Sequence, residues 1–230
     1  MASTWEQPRI AIVVGMKSEA RVVGGADGMV VVGGGSAARV EAGLARLHEA
    51  APLHGILSFG VAGGLAPGLR PGDLVAPEIV LSGADSYACH PGWTRRLARS
   101  AAKASQGPLL GVDEPIDAPE RKRRLHRETG AVAVDMESHG AARFAQGKGL
   151  PFTVFRAISD PMDRAIPPAA LAGFKPDGSA DAFSVLAALA RSPTQTAALI
   201  RTALDAREAL AALLGGRRRL GRLFGFDQFV

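Results

Sequence analysis

Short, unbroken apolar runs constrain this chain more than any other feature of it. Residues 9–15, 29–33, 55–59, 73–81, 131–135 and 152–158 are rich in Val and Ile, and they end at glycines or polar residues. A strand that is apolar on both sides has to be covered on both sides, which demands helices above and below its sheet. The intervening segments supply them. Residues 36–50 place Val40, Leu44 and Leu47 at helical spacing behind Ser36, a favourable N-cap. Asp117 and Pro119 open a second helix that runs through Arg121-Lys-Arg-Arg-Leu-His126 to a stop at Gly130. Ser192-Pro193 opens a last long helix, which Gly215-Gly216 closes after about Leu214. Strands alternating with helices predict a single-domain α/β fold whose central sheet, mostly parallel or mixed, is flanked by helices. The 230 residues fit one such unit. Its expected span is 9–214, between an N-terminal extension over 1–8 and a basic tail over 215–230.

Composition narrows the function classes. A hydrophobic fraction of 47% with charges spread along the chain excludes wholesale disorder and a bundle of membrane spans. The net charge of +5 is concentrated in the C-terminal stretch and in Arg121-Lys-Arg-Arg124. A nucleic-acid-binding module would use such charge, but no aromatic residues interleave with that helix, and no nucleic-acid partner is expected. The single cysteine, Cys89, forms no internal disulfide and no cysteine-based zinc cage. Residues 1–8 lack a basic segment followed by an apolar one, so no secretory signal is read and a cytoplasmic location is expected.

In sheets of this kind function gathers at the carboxyl ends of strands. Four ends stand out. Gly15-Met-Lys-Ser-Glu19 puts a carboxylate in the first turn of a helix; taken alone, Glu19 reads as a surface acid favoured by the helix dipole. Ser58-Phe-Gly-Val-Ala-Gly-Gly64 and the turn Gly33-Gly-Gly-Ser36 let backbone N–H groups approach a ligand, though tight structural turns explain the glycines equally well. Val134-Asp-Met-Glu137 ends a buried strand in two acids, more than a capping network needs. Arg156-Ala-Ile-Ser-Asp160 places an arginine inside a strand, where it needs an acidic partner, and closes on an acid before proline; taken alone, Asp160 reads as a plain turn residue. No nucleophile elbow, HExxH helix or Walker loop is present, which leaves acid–base chemistry without a metal. Of the scattered histidines only His139 lies next to one of these clusters, and packing explains it.

Taken together, these four strings resemble, in order and spacing, the purine nucleoside phosphorylase and nucleosidase superfamily. Leu57-Ser-Phe-Gly-Val-Ala-Gly-Gly-Leu65, Pro108-Leu-Leu-Gly-Val-Asp113, Ala133-Val-Asp-Met-Glu-Ser-His139, Arg156-Ala-Ile-Ser-Asp-Pro161 and Pro167-Pro-Ala-Ala-Leu171 resemble its hopanoid-associated phosphorylase branch. The likeness runs from Ile10 to about Leu213 and implies cleavage of the N-glycosidic bond between a base and ribose, by phosphate or by water. By this resemblance Asp160 protonates the leaving base at N7, steadied by Ser159. Glu137 grips the ribose and meets its developing positive charge, with Met136 against the sugar face. Ala62, Gly63, Val134 and Asp135 complete the substrate site, and Glu19 matches the carboxylate that activates water in nucleosidases. Phosphorolysis would call instead on Lys17, Arg21 and Arg39 with Gly34, Gly35 and Ser36. The resemblance implies no metal and no cofactor, with inorganic phosphate as the co-substrate of the phosphorolytic alternative.

The branch further implies adenosylhopane, an adenine nucleoside bearing a large polycyclic lipid at its 5′ carbon, as substrate, and adenine as product. A soluble methylthioadenosine or adenosylhomocysteine nucleosidase is the second reading. Residues 112–116 lack the aromatic ring that related nucleosidases stack on the base, so adenine selectivity comes from the branch alone. A homo-oligomer is expected. A lipid substrate would give the basic and aromatic residues of 216–226 a peripheral membrane contact, against the alternative of a frayed, solvated tail.

Overall fold

The computed structural model describes residues 8–24, 29–101, 104–173, 175 and 177–226. The expected N-terminal extension, except for Pro8, and the last residues of the tail lie outside them. The described residues form one ten-stranded mixed sheet. Its strands are β1 (Ile10–Val14), β2 (Met29–Val32), β3 (Gly55–Gly64), β4 (Leu74–Val75), β5 (Ile79–Ser82), β6 (Asp85–Ala88), β7 (Ala104–Ser105), β8 (Leu109–Gly111), β9 (Ala133–Asp135) and β10 (Phe152–Asp160). The helices are α1 (Lys17–Val23), α2 (Ala37–Ala50), α3 (Pro91–Ser100), α4 (Pro119–Thr129), α5 (Ser138–Lys148), α6 (Pro168–Leu171), α7 (Ala182–Arg191) and α8 (Thr196–Leu220).

The unbroken apolar runs do what their pattern requires. In β1, Ala11 and Val13 join Val40 and Leu44 of α2 and Ala141 and Ala145 of α5 in one core layer. Ile10, Ile12 and Val14 face the other way, towards Trp93 and Leu97 of α3 and Ala209 and Leu213 of α8. Burial of both faces is the physical reason that polar alternation is missing.

The pairing of β3 positions the site. β10 runs parallel along one of its edges, from Ile56 opposite Phe152 to Gly63 opposite Asp160. The other edge is divided. β1 pairs in parallel as far as Ser58, and β9 pairs antiparallel only at Gly63 and Gly64. Between Ser58 and Gly63 no strand among the described residues lies beside this edge of β3, and the sheet forks there.

Several expected boundaries are corrected. The run 73–81 is two strands: Pro77 has no N–H to give a ladder, and the chain leaves β10, beside β4, to reach β8, beside β5. Asp117 does not cap α4; Ala118 holds that position and the backbone carbonyl of Asp117 accepts the N–H of Ile166. The last helix begins at Thr196, after a 3-10 turn over Pro193–Gln195, and passes through Gly215-Gly216 to Leu220. Gly216 is there because its helix lies against Phe155, whose ring would stand 2.7 Å from any Cβ. Leu220, Phe224 and Phe226 are buried beyond it. The Phe224 ring lies 5.3 Å from that of Phe59, and its carbonyl accepts the indole N–H of Trp93 at 2.8 Å. The aromatic side chains that a frayed or lipid-facing tail would offer are therefore inside the protein, while Arg218, Arg219 and Arg222 of the same stretch are exposed.

Candidate active site

The fork in the sheet is closed by a carboxylate. Glu19, in the first turn of α1, is 1% exposed. Its Oε2 accepts the N–H groups of Gly15 at 2.7 Å and Met16 at 2.8 Å, and its Oε1 accepts that of Val61 at 2.7 Å. One end of β1 and the unpaired edge of β3 are thus joined through a side chain, and the reading of Glu19 as a surface acid is corrected. Burial pushes its carboxyl above the ordinary range, opposed by the nearby Arg156 guanidinium and the three N–H groups.

Arg156 occupies the centre of the site, fully buried on β10. Its Nη2 lies 2.6 Å from Asp135 Oδ2 and 3.7 Å from Glu137 Oε2, and donates to Ser58 Oγ at 2.7 Å. The acidic partner that an arginine in a strand requires is Asp135, which also accepts from the hydroxyl of Ser138. Glu137 Oε1 accepts the N–H of Gly35 at 2.9 Å. Its carboxyl is pushed up to about 7 by burial, with Arg156 opposing and the charges of Asp135 and Glu19 adding. The glycines of the first and second strand ends make room for this: a Cβ at Gly15 or Gly33 would stand 2.8 or 2.7 Å from the Glu137 side chain. The backbone N–H groups of these turns hold the chain's own carboxylates.

At the end of β10, Ser159 Oγ donates to Asp160 Oδ1 at 2.6 Å. The other oxygen, Oδ2, meets the ammonium of Lys122 at 2.6 Å. Lys122 belongs to the basic run of α4, and its neighbours there pair outward: Arg121 with Glu114, Arg123 with Glu120 and Arg124 with Glu128.

These groups surround one cleft of 330 Å³. Glu19, Gly34, Gly35, Ala62, Gly63, Val134, Asp135, Met136, Glu137, Ser159 and Asp160 line it. The remaining wall is mainly apolar, with Met16, Val112, Pro115, Ile116, Ile166 and Leu171, and carries one cation, Lys175, which is paired with Asp181 at 3.1 Å. Lys17, Arg21, Arg39 and Ser36 do not line it. Lys17 is paired with Asp177 at 2.7 Å, Arg39 donates to the carbonyl of Gly33, and Ser36 caps α2. His139 is buried against Gly111, with Nε2 3.1 Å from Asp113 Oδ1.

Acids on three sides of one apolar cleft can act on a neutral, polyhydroxylated substrate: one can donate a proton, one can take a proton from water, and one can hold hydroxyls. The family model of the phosphorylase superfamily matches residues 5–205. The chain belongs to that superfamily. Solved structures share its fold at low identity. The 5′-methylthioadenosine/S-adenosylhomocysteine nucleosidase of Neisseria meningitidis, in complex with methylthio-immucillin-A, superposes with a TM-score of 0.70 at 15% identity, over 93% of this chain and 98% of that one. The nucleosidase of the same name from Helicobacter pylori gives 0.69 at 16%, over 97% and 99%. The futalosine hydrolase of Helicobacter pylori gives 0.64 at 18%, over 91% and 97%.

Sequence reasoning in this member of the phosphorylase superfamily missed Lys122, Ser58, Ser138 and the apolar wall. Lys122 shares a helical face with Leu125 and Thr129, so its phase was readable. The two serines become recognisable only when β3 and α5 are brought together.

Proposed function

We propose that this protein hydrolyses the N-glycosidic bond of an adenine nucleoside that carries an apolar 5′ substituent, releasing adenine. The observation that carries the proposal is the assembly of Asp160, Glu137 and Glu19 around a single cleft at the fork of the sheet. In this reading water attacks C1′ and Glu19 takes its proton. The electron pair of the C1′–N9 bond passes to the purine, whose N7 takes the proton of Asp160, while Glu137 holds the ribose hydroxyls and meets the positive charge developing on the sugar. Water is favoured over phosphate because Glu19 already occupies the N–H groups of Gly15, Met16 and Val61, because Lys17, Arg21 and Arg39 lie outside the cleft, and because Lys175, which lines it, is paired with Asp181.

For the 5′ substituent, the resemblance to the hopanoid-associated branch makes adenosylhopane the first candidate. Support comes from the apolar wall through Ile116, Ile166 and Leu171 and from the exposed Phe183 and Leu186 of α7, which packs on α6. A peripheral membrane contact and a homo-oligomer belong to this reading, tested by co-sedimentation with liposomes and by sedimentation velocity. Methylthioadenosine or adenosylhomocysteine is the second candidate, favoured by the fold shared with nucleosidases so named. Adenine release from adenosylhopane and from methylthioadenosine, each with and without phosphate, with the sugar product identified by mass spectrometry, separates these readings. Free ribose product at a rate indifferent to phosphate is expected. A phosphorylated sugar would replace hydrolysis by phosphorolysis.

A further inference from the structure

The run Arg121-Lys-Arg-Arg124 looks like a solvated basic face, yet its second member is withdrawn completely from solvent. Burying an ammonium is costly unless it is paired and hydrogen-bonded. Lys122 Nζ has those partners: Asp160 Oδ2 at 2.6 Å, and the backbone carbonyls of Asp160 at 3.2 Å, Pro161 at 3.2 Å and Arg164 at 3.0 Å. An ammonium has three hydrogens, and these acceptors engage all of them. Such a residue holds both the carboxyl group and the turn that follows it. Asp160 Oδ1, steadied by the Ser159 hydroxyl, is the oxygen not bound to the ammonium.

We propose that Lys122 is a positioning residue for the proton-donating carboxyl, fixing Asp160 so that Oδ1 alone serves the leaving base. This rests on the reading of Asp160 as the acid of nucleoside cleavage. In the step itself Asp160 enters as the neutral acid, with a proton taken up from solvent on Oδ1 and the Ser159 hydroxyl turned to accept it; that proton passes to N7, the C1′–N9 electron pair goes to the purine, and the carboxylate left behind accepts from Ser159 at Oδ1 and meets the ammonium beside Oδ2. Lys122 neither gains nor loses a proton and touches no substrate.

The test is a double-mutant cycle on adenine release by the full chain, with Lys122→Gln, Lys122→Met, Asp160→Asn and the combined variants. Lys122→Gln keeps a donor for the carbonyls without the charge, so the cycle can be completed if the methionine variant fails to fold. Each Lys122 variant should lower kcat by about ten- to a hundredfold, within the range of a positioned proton donor, and change KM by less than about threefold. Added to Asp160→Asn, either should cause no further loss beyond about twofold, because Lys122 acts only through that carboxyl. A merely structural lysine would give losses that multiply in the double variant; that result, wild-type kcat in Lys122→Gln, or an effect confined to KM would overturn the proposal. A wild-type protein that releases adenine from no nucleoside overturns the underlying reading and the proposal together, and that is seen before any variant is made.

Discussion

A methyl group at Gly60 would stand 2.5 Å from Arg156 Nη1 and 2.5 Å from Glu19 Oε1 at once. Gly60→Ala must therefore move the two buried charges that organise the cleft. Displacements of this size lower turnover by about a hundredfold, and kcat for adenine release, compared with the far-UV circular dichroism of the variant, will show whether the loss is local. Asp160→Asn should lower kcat by about two to four orders of magnitude, read in the same assay. Glu137 links activity to stability in opposite senses. Burial raises its carboxyl from 4.5 to about 7, so the folded protein keeps a proton that the unfolded chain gives up above about pH 4.5. The stability this provides is complete below pH 4.5 and lost as the pH rises through 7. Glu137→Gln cannot titrate. It should abolish most activity yet melt higher than wild type at pH 8, by the equivalent of about 3 kcal/mol, and differ little near pH 4.5; calorimetry at both values checks this.

At the scale of the element, the last helix and its extension decide more than their sequence suggests. Gly215-Gly216 carries a stop signal, but the glycine that matters is needed for close approach to Phe155, and the chain continues helical past it. The aromatic residues beyond it pack against Phe59 and Trp93, in contacts between segments far apart in sequence that no local pattern encodes. Phe224→Ala should cost about 3–5 kcal/mol, measurable by chemical denaturation. Removing residues 217–230 should leave the chain insoluble or unfolded rather than merely less attached to lipid. The strands were readable because burial on both faces leaves an unbroken apolar run. The split of residues 73–81 at Pro77 turns on which neighbour each half finds, as does the existence of the short strands β6, β7 and β8. In α4 the charge pattern concealed Lys122, since a basic run looks solvent-facing until its helical phase is matched to a buried acid on another element.

Over the whole molecule, the acids of the cleft could be read as strand ends, but their division of labour could not. Spacing brought out Glu19, Glu137 and Asp160; only the three-dimensional pairing of β1, β3, β9 and β10 shows why they meet. The fork in β3 leaves a stretch of backbone that a neighbouring strand would normally satisfy, and Glu19 supplies the missing acceptor at Val61. The same carboxylate is thus a fastener and, in the proposed reaction, a reagent as well. A descendant of this chain that had given up its reaction would still need an acid at position 19 to keep its first and third strands together. Finding that acid in a sequence is accordingly a mark of the architecture, and it becomes a mark of chemistry only when a proton-donating carboxyl stands across the cleft.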